Sequence, residues 1–147
     1  MTRQFLEREL AQCMPPVVRG WRQLADLALA ELRVSNSTGW CLLYLDRLGP
    51  EARQIDLAQQ VGISQPSMVR ALDQLEAVGL VERISNPDDR RSNRLGITPV
   101  GKALVGKIEA RLSELRRDLL QDIPDADIET TLRLFDIVAA RIADRRA

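Results

Sequence analysis

A small residue four positions ahead of a glycine, Ala58 and Gly62, between two short runs of helical apolar spacing, constrains this chain more than any other feature. Two helices that cross closely need a small side chain at the contact. A tight turn out of the first helix needs a residue that accepts positive φ. Leu57, Val61 and Ile63 before the turn, with Met68 and Leu72 after it, supply apolar contacts. Ser64 is a cap for the second helix and Gly79 its C-terminal punctuation. An ordinary αα-hairpin satisfies the same pattern, so the second helix and its sequel decide the reading.

At ~3.6 residues per turn, Met68, Leu72 and Leu75 share a buried face, Pro66, Arg70 and Asp73 point the other way, and Ser67 and Gln74 flank. The N-terminal half thus exposes Ser64, Gln65, Pro66, Ser67 and Arg70. In a helix-turn-helix that half enters the major groove, where Gln reads adenine, Arg reads guanine or clasps phosphate, and Ser bonds either. A solvated helix face is the alternative, and the next segment weighs against it. Leu80 to Ile84 and Arg94 to Ile97 are strand-like, joined by a polar stretch with Asn86-Pro87-Asp88 turn chemistry. This is a β-hairpin with a charged tip. Arg90, Arg91 and Arg94 suit a narrow, electronegative minor groove, and Asp89 beside them can hold one guanidinium in a fixed pose.

Helices flank this unit. Phe5, Leu6, Leu10 and Cys13 mark a short N-terminal helix that Pro15-Pro16 is expected to interrupt, since two prolines cannot continue a helix interior. A second helix is predicted from about Pro16 to Leu32, with Val17, Trp21, Leu24, Leu27 or Ala28, and Leu32 on its apolar stripe. Ser35 to Thr38 reads as a loop ending in a cap, Trp40 to Leu48 as a helix stopped by Gly49-Pro50, and Ile55 to Val61 as a further short helix. Thr98-Pro99 opens a long helix in which Leu104, Ile108, Leu112, Leu115 and Leu119 form a near coiled-coil seam. That seam reads as too long for one winged domain to cover, which predicts a second copy against it. Ile123-Pro124-Asp125 breaks this helix, and Ile128, Leu132, Phe135, Val138 or Ala139, and Ile142 continue on a last one.

Composition narrows the function classes. There is no histidine among the 147 residues, which removes the commonest general base, metal ligand and nucleophile partner. No Cys-x-x-Cys pattern occurs, and Cys13 and Cys41 read as buried or half-buried thiols rather than a disulfide. No catalytic site, metal or cofactor is expected. No apolar run approaches a membrane span and no signal-like stretch opens the chain, so a cytoplasmic protein is expected. Net charge is zero, with 21 basic and 21 acidic residues, so bulk electrostatics announce no partner. All but Lys102 and Lys107 of those bases are arginine, which fits planar phosphate and guanine recognition and equally a coding bias.

On these residues the chain resembles the MarR family of transcriptional regulators, and within it the SlyA-type branch. The matching stretches are Gln65 to Glu76, Gly79-Leu80-Val81, Asp89-Arg90-Arg91, and Thr98 with Gly101. The resemblance implies a mainly α fold with a small β-hairpin wing, a winged helix-turn-helix with long N- and C-terminal dimerisation helices. Residues 1–147 would form a single domain, with about 1–34 and 99–147 dimerising and about 38–98 as the DNA-binding lobe. It implies a homodimer on double-stranded DNA at pseudo-palindromic sites. Gln65, Pro66, Ser67 and Arg70 would face the major groove, Arg90 and Arg91 the minor groove, with Asp89 orienting an arginine. After that motif, Ser92-Asn93 departs from the branch's more basic step. The resemblance also implies release by a small aromatic acid, with Trp21, Trp40 and Tyr44 lining a cleft and Arg22 or Arg70 pairing the carboxylate. Core anchoring is the competing role for both tryptophans. Two further readings stay open, a winged-helix protein-interaction module and a ligand or redox sensor.

Overall fold

The computed structural model describes residues 1–85, 87, 88 and 93–147. Its elements are α1 (Arg3–Glu31), α2 (Asn36–Leu48), α3 (Gln54–Val61), α4 (Gln65–Ala77), β1 (Val81–Ile84), β2 (Arg94–Ile97), α5 (Pro99–Leu119) and α6 (Asp125–Arg146). The mainly helical fold with a two-stranded hairpin is the one expected. The chain divides into two compact units, Met1–Leu115 and Arg116–Ala147.

In the first unit, the turn between α3 and α4 follows the expected chemistry. Gly62 has φ 77°, and its N–H and that of Ile63 both donate to the Ala58 carbonyl. Ser64 accepts from the Ser67 N–H, and Pro66 sits in the first turn of α4, where its missing donor costs nothing. Met68, Ala71, Leu72 and Leu75 turn inward and pack with Cys41, Leu42 and Leu45 of α2, Leu57 and Ala58 of α3, and Val81 and Leu95 of the hairpin. Each fully buried Leu contributes ~1.5–3 kcal/mol, and this cluster fixes α4 against the hairpin.

A second cluster corrects the seam. Ile108 and Leu112 of α5, with Leu104 and Leu115 beside them, pack on Ala25 and Leu29 of α1 and Trp40 and Leu43 of α2. Ile108 and Leu112 are therefore buried by the chain's own helices, and Leu104 and Leu115 are half-buried beside them. Heptad-like spacing specifies an apolar stripe but not which helix covers it.

The double proline is the other correction. Pro15 and Pro16 lie inside one continuous helix of 29 residues. The prolines remove the donors that would reach the carbonyls of Ala11 and Gln12, at a cost of ~3 kcal/mol for an interior proline. Both residues are exposed, as are both prolines, so water can satisfy the freed carbonyls. Ser35, not the end of its segment, is the cap of α2, and Asn36, Ser37 and Thr38 form the first turn. Cys41 is buried as expected, whereas Cys13 is exposed.

In the second unit, Leu120 to Pro124 form the turn into α6, with Asp122 at φ 63°. Asp125 and Asp127 in the first turn and Arg145 and Arg146 in the last suit the helix dipole. No residue of α6 is buried.

Candidate nucleic-acid interface

The N-terminal half of α4 stands outward. Ser64, Gln65, Pro66 and Arg70 are exposed and Ser67 is half-buried. Ser64 Oγ donates to Ser67 Oγ at 3.0 Å, so these two hydroxyls are partly engaged in capping. Gln65 Oε1 accepts from Gln54 Nε2 at 3.1 Å. Arg70 makes no ion pair with any described residue.

Further along α4, Asp73 and Glu76 would repel a phosphate backbone if left alone. Arg83 of β1 neutralises both, donating to Asp73 Oδ1 at 2.8 Å and to Glu76 Oε1 at 3.1 Å. Arg83 alternates with Glu82 and shares the inward face with Val81, which aims it at α4. The period-two pattern of the strand is the sequence signal for this residue, which residue chemistry alone does not single out.

The hairpin is antiparallel, with Val81 opposite Ile97 and Ile84 opposite Arg94. On its other side β2 is tied to the segment between α2 and α3. The Leu95 N–H donates to the Ala52 carbonyl at 2.9 Å, Arg53 and Arg94 form a β-bridge, and Arg94 pairs with Glu51 at 2.9 Å. Arg94 therefore anchors the wing as well as lining it. Asp89, Arg90 and Arg91 lie outside the described residues.

Arg53 is a second cation that sequence reasoning does not single out. Its Nε and Nη2 donate to Asp56 at 3.1 and 3.3 Å, and Asp56 also accepts from the Arg53 backbone N–H, closing the start of α3. The guanidinium hydrogen bond holds the Asp56 carboxyl below the usual carboxylate range and raises Arg53 in turn. Arg53, Gln54, Ile55, Gln65, Arg83, Asn93 and Leu95 together line a recess of about 260 Å³ between α3, α4 and β2.

The expected ligand residues are brought together in part. Trp40 is buried and Trp21 half-buried. Arg22 lies 3.7 Å from the Trp40 ring centroid and pairs with Asp26, whose Oδ1 also accepts from Trp40 Nε1 at 2.8 Å. Trp40 and Tyr44 follow at 6.0 Å between centroids. Burial raises the Cys41 thiol above its ordinary value, which makes it unreactive. Among the described residues no group of acids and cysteines could hold a metal ion, and no helix is long and apolar enough to cross a membrane.

A helix-turn-helix whose second helix projects polar side chains beside a β-wing defines the winged-helix class of DNA-binding transcriptional regulators. Residues 35–92 match the MarR family model. The transcriptional regulator PA3341 is 32% identical over 95% of this chain and 98% of its own, with a TM-score of 0.81. BldR from Sulfolobus solfataricus is 25% identical over 96% and 99%, with a TM-score of 0.78. A mutant of S. aureus MepR bound to an oligodeoxyribonucleotide shares the fold at 22% identity over 95% and 98%, with a TM-score of 0.59. The chain belongs to the MarR family.

Proposed function

We propose that this regulator binds double-stranded DNA as a homodimer, each protomer reading half of a pseudo-palindrome, and that it has no catalytic role. One observation carries the DNA reading. On α4 the acids Asp73 and Glu76 are neutralised by Arg83, while Arg70 on the outward half has no described ion-pair partner. An exposed guanidinium beside glutamine and serine hydroxyls matches base-edge and phosphate contact. We read Gln65, Pro66, Ser67 and Arg70 as major-groove residues, Arg90 and Arg91 as minor-groove residues with Asp89 orienting one of them, and the chain as nearest the SlyA-type branch. A gel shift against the DNA upstream of its own gene tests this. A shift competed by specific but not scrambled duplex is expected, and no shift with either would refute it.

The homodimer rests on α6 and α1. A 22-residue helix that buries nothing while Leu132, Phe135, Ile137 and Ile142 are each more than 40% exposed calls for an apolar partner surface. On α1, Phe5, Leu6, Val17, Val18, Leu24 and Leu27 are likewise exposed. Light scattering should return twice the chain mass at micromolar concentration, and a monomer mass would remove the dimer.

The effector reading takes a definite form at Arg22. An aromatic carboxylate would draw the guanidinium away from Asp26 and compete for the face of Trp40, with Trp21 and Tyr44 beside it. Tryptophan fluorescence titrated with benzoate should respond in the wild type and not in Arg22→Ala, and an identical response in both would discard the site.

A further inference from the structure

Both helices of the motif begin with a glutamine. Gln54 opens α3 and Gln65 opens α4. The Gln54 amide donates from Nε2 to Gln65 Oε1 at 3.1 Å, and both residues line the polar recess between α3, α4 and β2. Neighbouring cations are committed elsewhere, Arg53 to Asp56 and Arg83 to Asp73 and Glu76. A terminal amide torsion is broad and roughly two-fold, so an exposed glutamine left alone turns either its carbonyl or its amine outward with little preference.

We propose that Gln54 is a specificity-determining positioning residue, which sets through its hydrogen bond the direction in which the Gln65 amide faces the DNA. The inference rests on the DNA-binding reading above. An amide offers two oxygen lone pairs and two N–H donors. With one lone pair of Gln65 Oε1 taken by Gln54, the remaining lone pair and both N–H groups face the groove. Such a group donates to a purine N7 and, on adenine, accepts from N6 at the same time. Gln54 itself need not touch a base. As long as Gln54 donates, the amine of Gln65 stays outward, and the two amides can turn over only together, so the polarity of the contact at that position follows Gln54.

Selection from a duplex pool randomised across one half-site, with salt titration of the selected and scrambled duplexes, tests this. Wild type should select a purine, adenine foremost, at one position that Gln65→Ala flattens. Gln54→Leu should flatten that position several-fold and leave the salt slope unchanged. Gln54→Glu is the sharper variant, because a carboxylate only accepts. It should turn the Gln65 amine inward, present Oε1 to the groove, and move the preference toward cytosine, whose N4 donates. A role of Gln54 in folding alone would weaken binding to all sequences together, and thermal unfolding of each variant separates that case. If Gln54→Leu and Gln54→Glu both keep the wild-type preference at the Gln65-sensitive position, the inference is wrong while DNA reading stands. Sequence selection by wild type with no position sensitive to Gln65→Ala also overturns it alone. Wild type that selects no sequence overturns both.

Discussion

The backbone of Gly101 in α5 packs directly on the carbonyl of Leu80 at the entry to the hairpin. A β carbon at Gly101 would run into that oxygen and lie 2.7 Å from Ile97 Cγ2. The Leu80 carbonyl is not free to yield, because it accepts from the Thr98 N–H at 3.1 Å. Thr98 completes the joint, its Oγ1 donating to the Gly79 carbonyl and accepting from the Gly101 N–H. The start of α5 and the root of the wing are thus one rigid corner.

Gly101→Ala should therefore be destabilising through overpacking, by about 1–3 kcal/mol or more. Its backbone conformation is helical and alanine is the better helix former, so propensity alone predicts the opposite sign. Urea unfolding of the variant beside wild type decides between them. A variant at least as stable as wild type would mean that the corner relaxes easily.

Cys41 sits with no exposed surface among Leu42, Leu57, Met68 and Leu72, and burial pushes its thiol above the ordinary range. In the folded protein at pH 7 it should resist alkylation, and become reactive only when denaturant opens the core. Mass spectrometry after iodoacetamide treatment reads this. Rapid native modification of Cys41 would contradict the packing of α2 against α3 and α4.

Asp56 gives an acid-side prediction. Its carboxyl is held low by the Arg53 guanidinium, so its contribution to stability is present above the unfolded value of about 3.9 and disappears as pH falls through the lower folded value. Asp56→Asn should unfold at lower urea than wild type at pH 7. Below both values, where the wild-type carboxyl is protonated, the two midpoints should converge. A gap that persists at low pH would show that the charge is not what closes the start of α3.

The turn between α3 and α4 was legible because its determinants are local. One glycine at positive φ, one small residue and one serine cap specify it without reference to the rest of the chain. The two strands of the hairpin were legible for a similar reason, marked by composition on either side of a polar segment; the expected turn at Asn86-Pro87-Asp88 includes Asn86, which lies outside the described residues. The partners of α5 were not, because Leu104 to Leu115 present the same spacing whether Leu29 and Trp40 of the same chain or a second copy covers them. Pro15 and Pro16 misled because the cost of missing donors depends on solvent reaching the orphaned carbonyls, which no local pattern reports. Arg83 and Gln54 escaped because their partners lie on other elements, and only the folded arrangement brings Gln54 to Gln65. Arg53 escaped although Asp56 is only three residues on, because arginine is not among the usual helix caps.

Arg70 and Arg94 should separate most clearly in their effects on DNA binding. Arg70 stands on the outward half of α4 with no described ion-pair partner, whereas Arg94 is held by Glu51 at 2.9 Å. Arg70→Ala should cost ~1–3 kcal/mol on a specific site and relax preference at one position per half-site, as loss of a base contact does. Arg94 should respond instead to its partner. Glu51→Gln removes a carboxylate that is 79% exposed at its side chain and releases the guanidinium, so the salt dependence should steepen by about one unit for each phosphate that Arg94 then reaches. The stability cost of that change should be small, because an exposed ion pair contributes ~0–1 kcal/mol. Salt titrations of specific and scrambled duplex with Arg70→Ala, Arg94→Ala and Glu51→Gln beside wild type provide the comparison. If Glu51→Gln leaves the salt slope unchanged while Arg94→Ala lowers it, Arg94 already reaches phosphate with Glu51 in place. If neither variant changes the slope, the pair serves only to fasten β2 to the segment before α3.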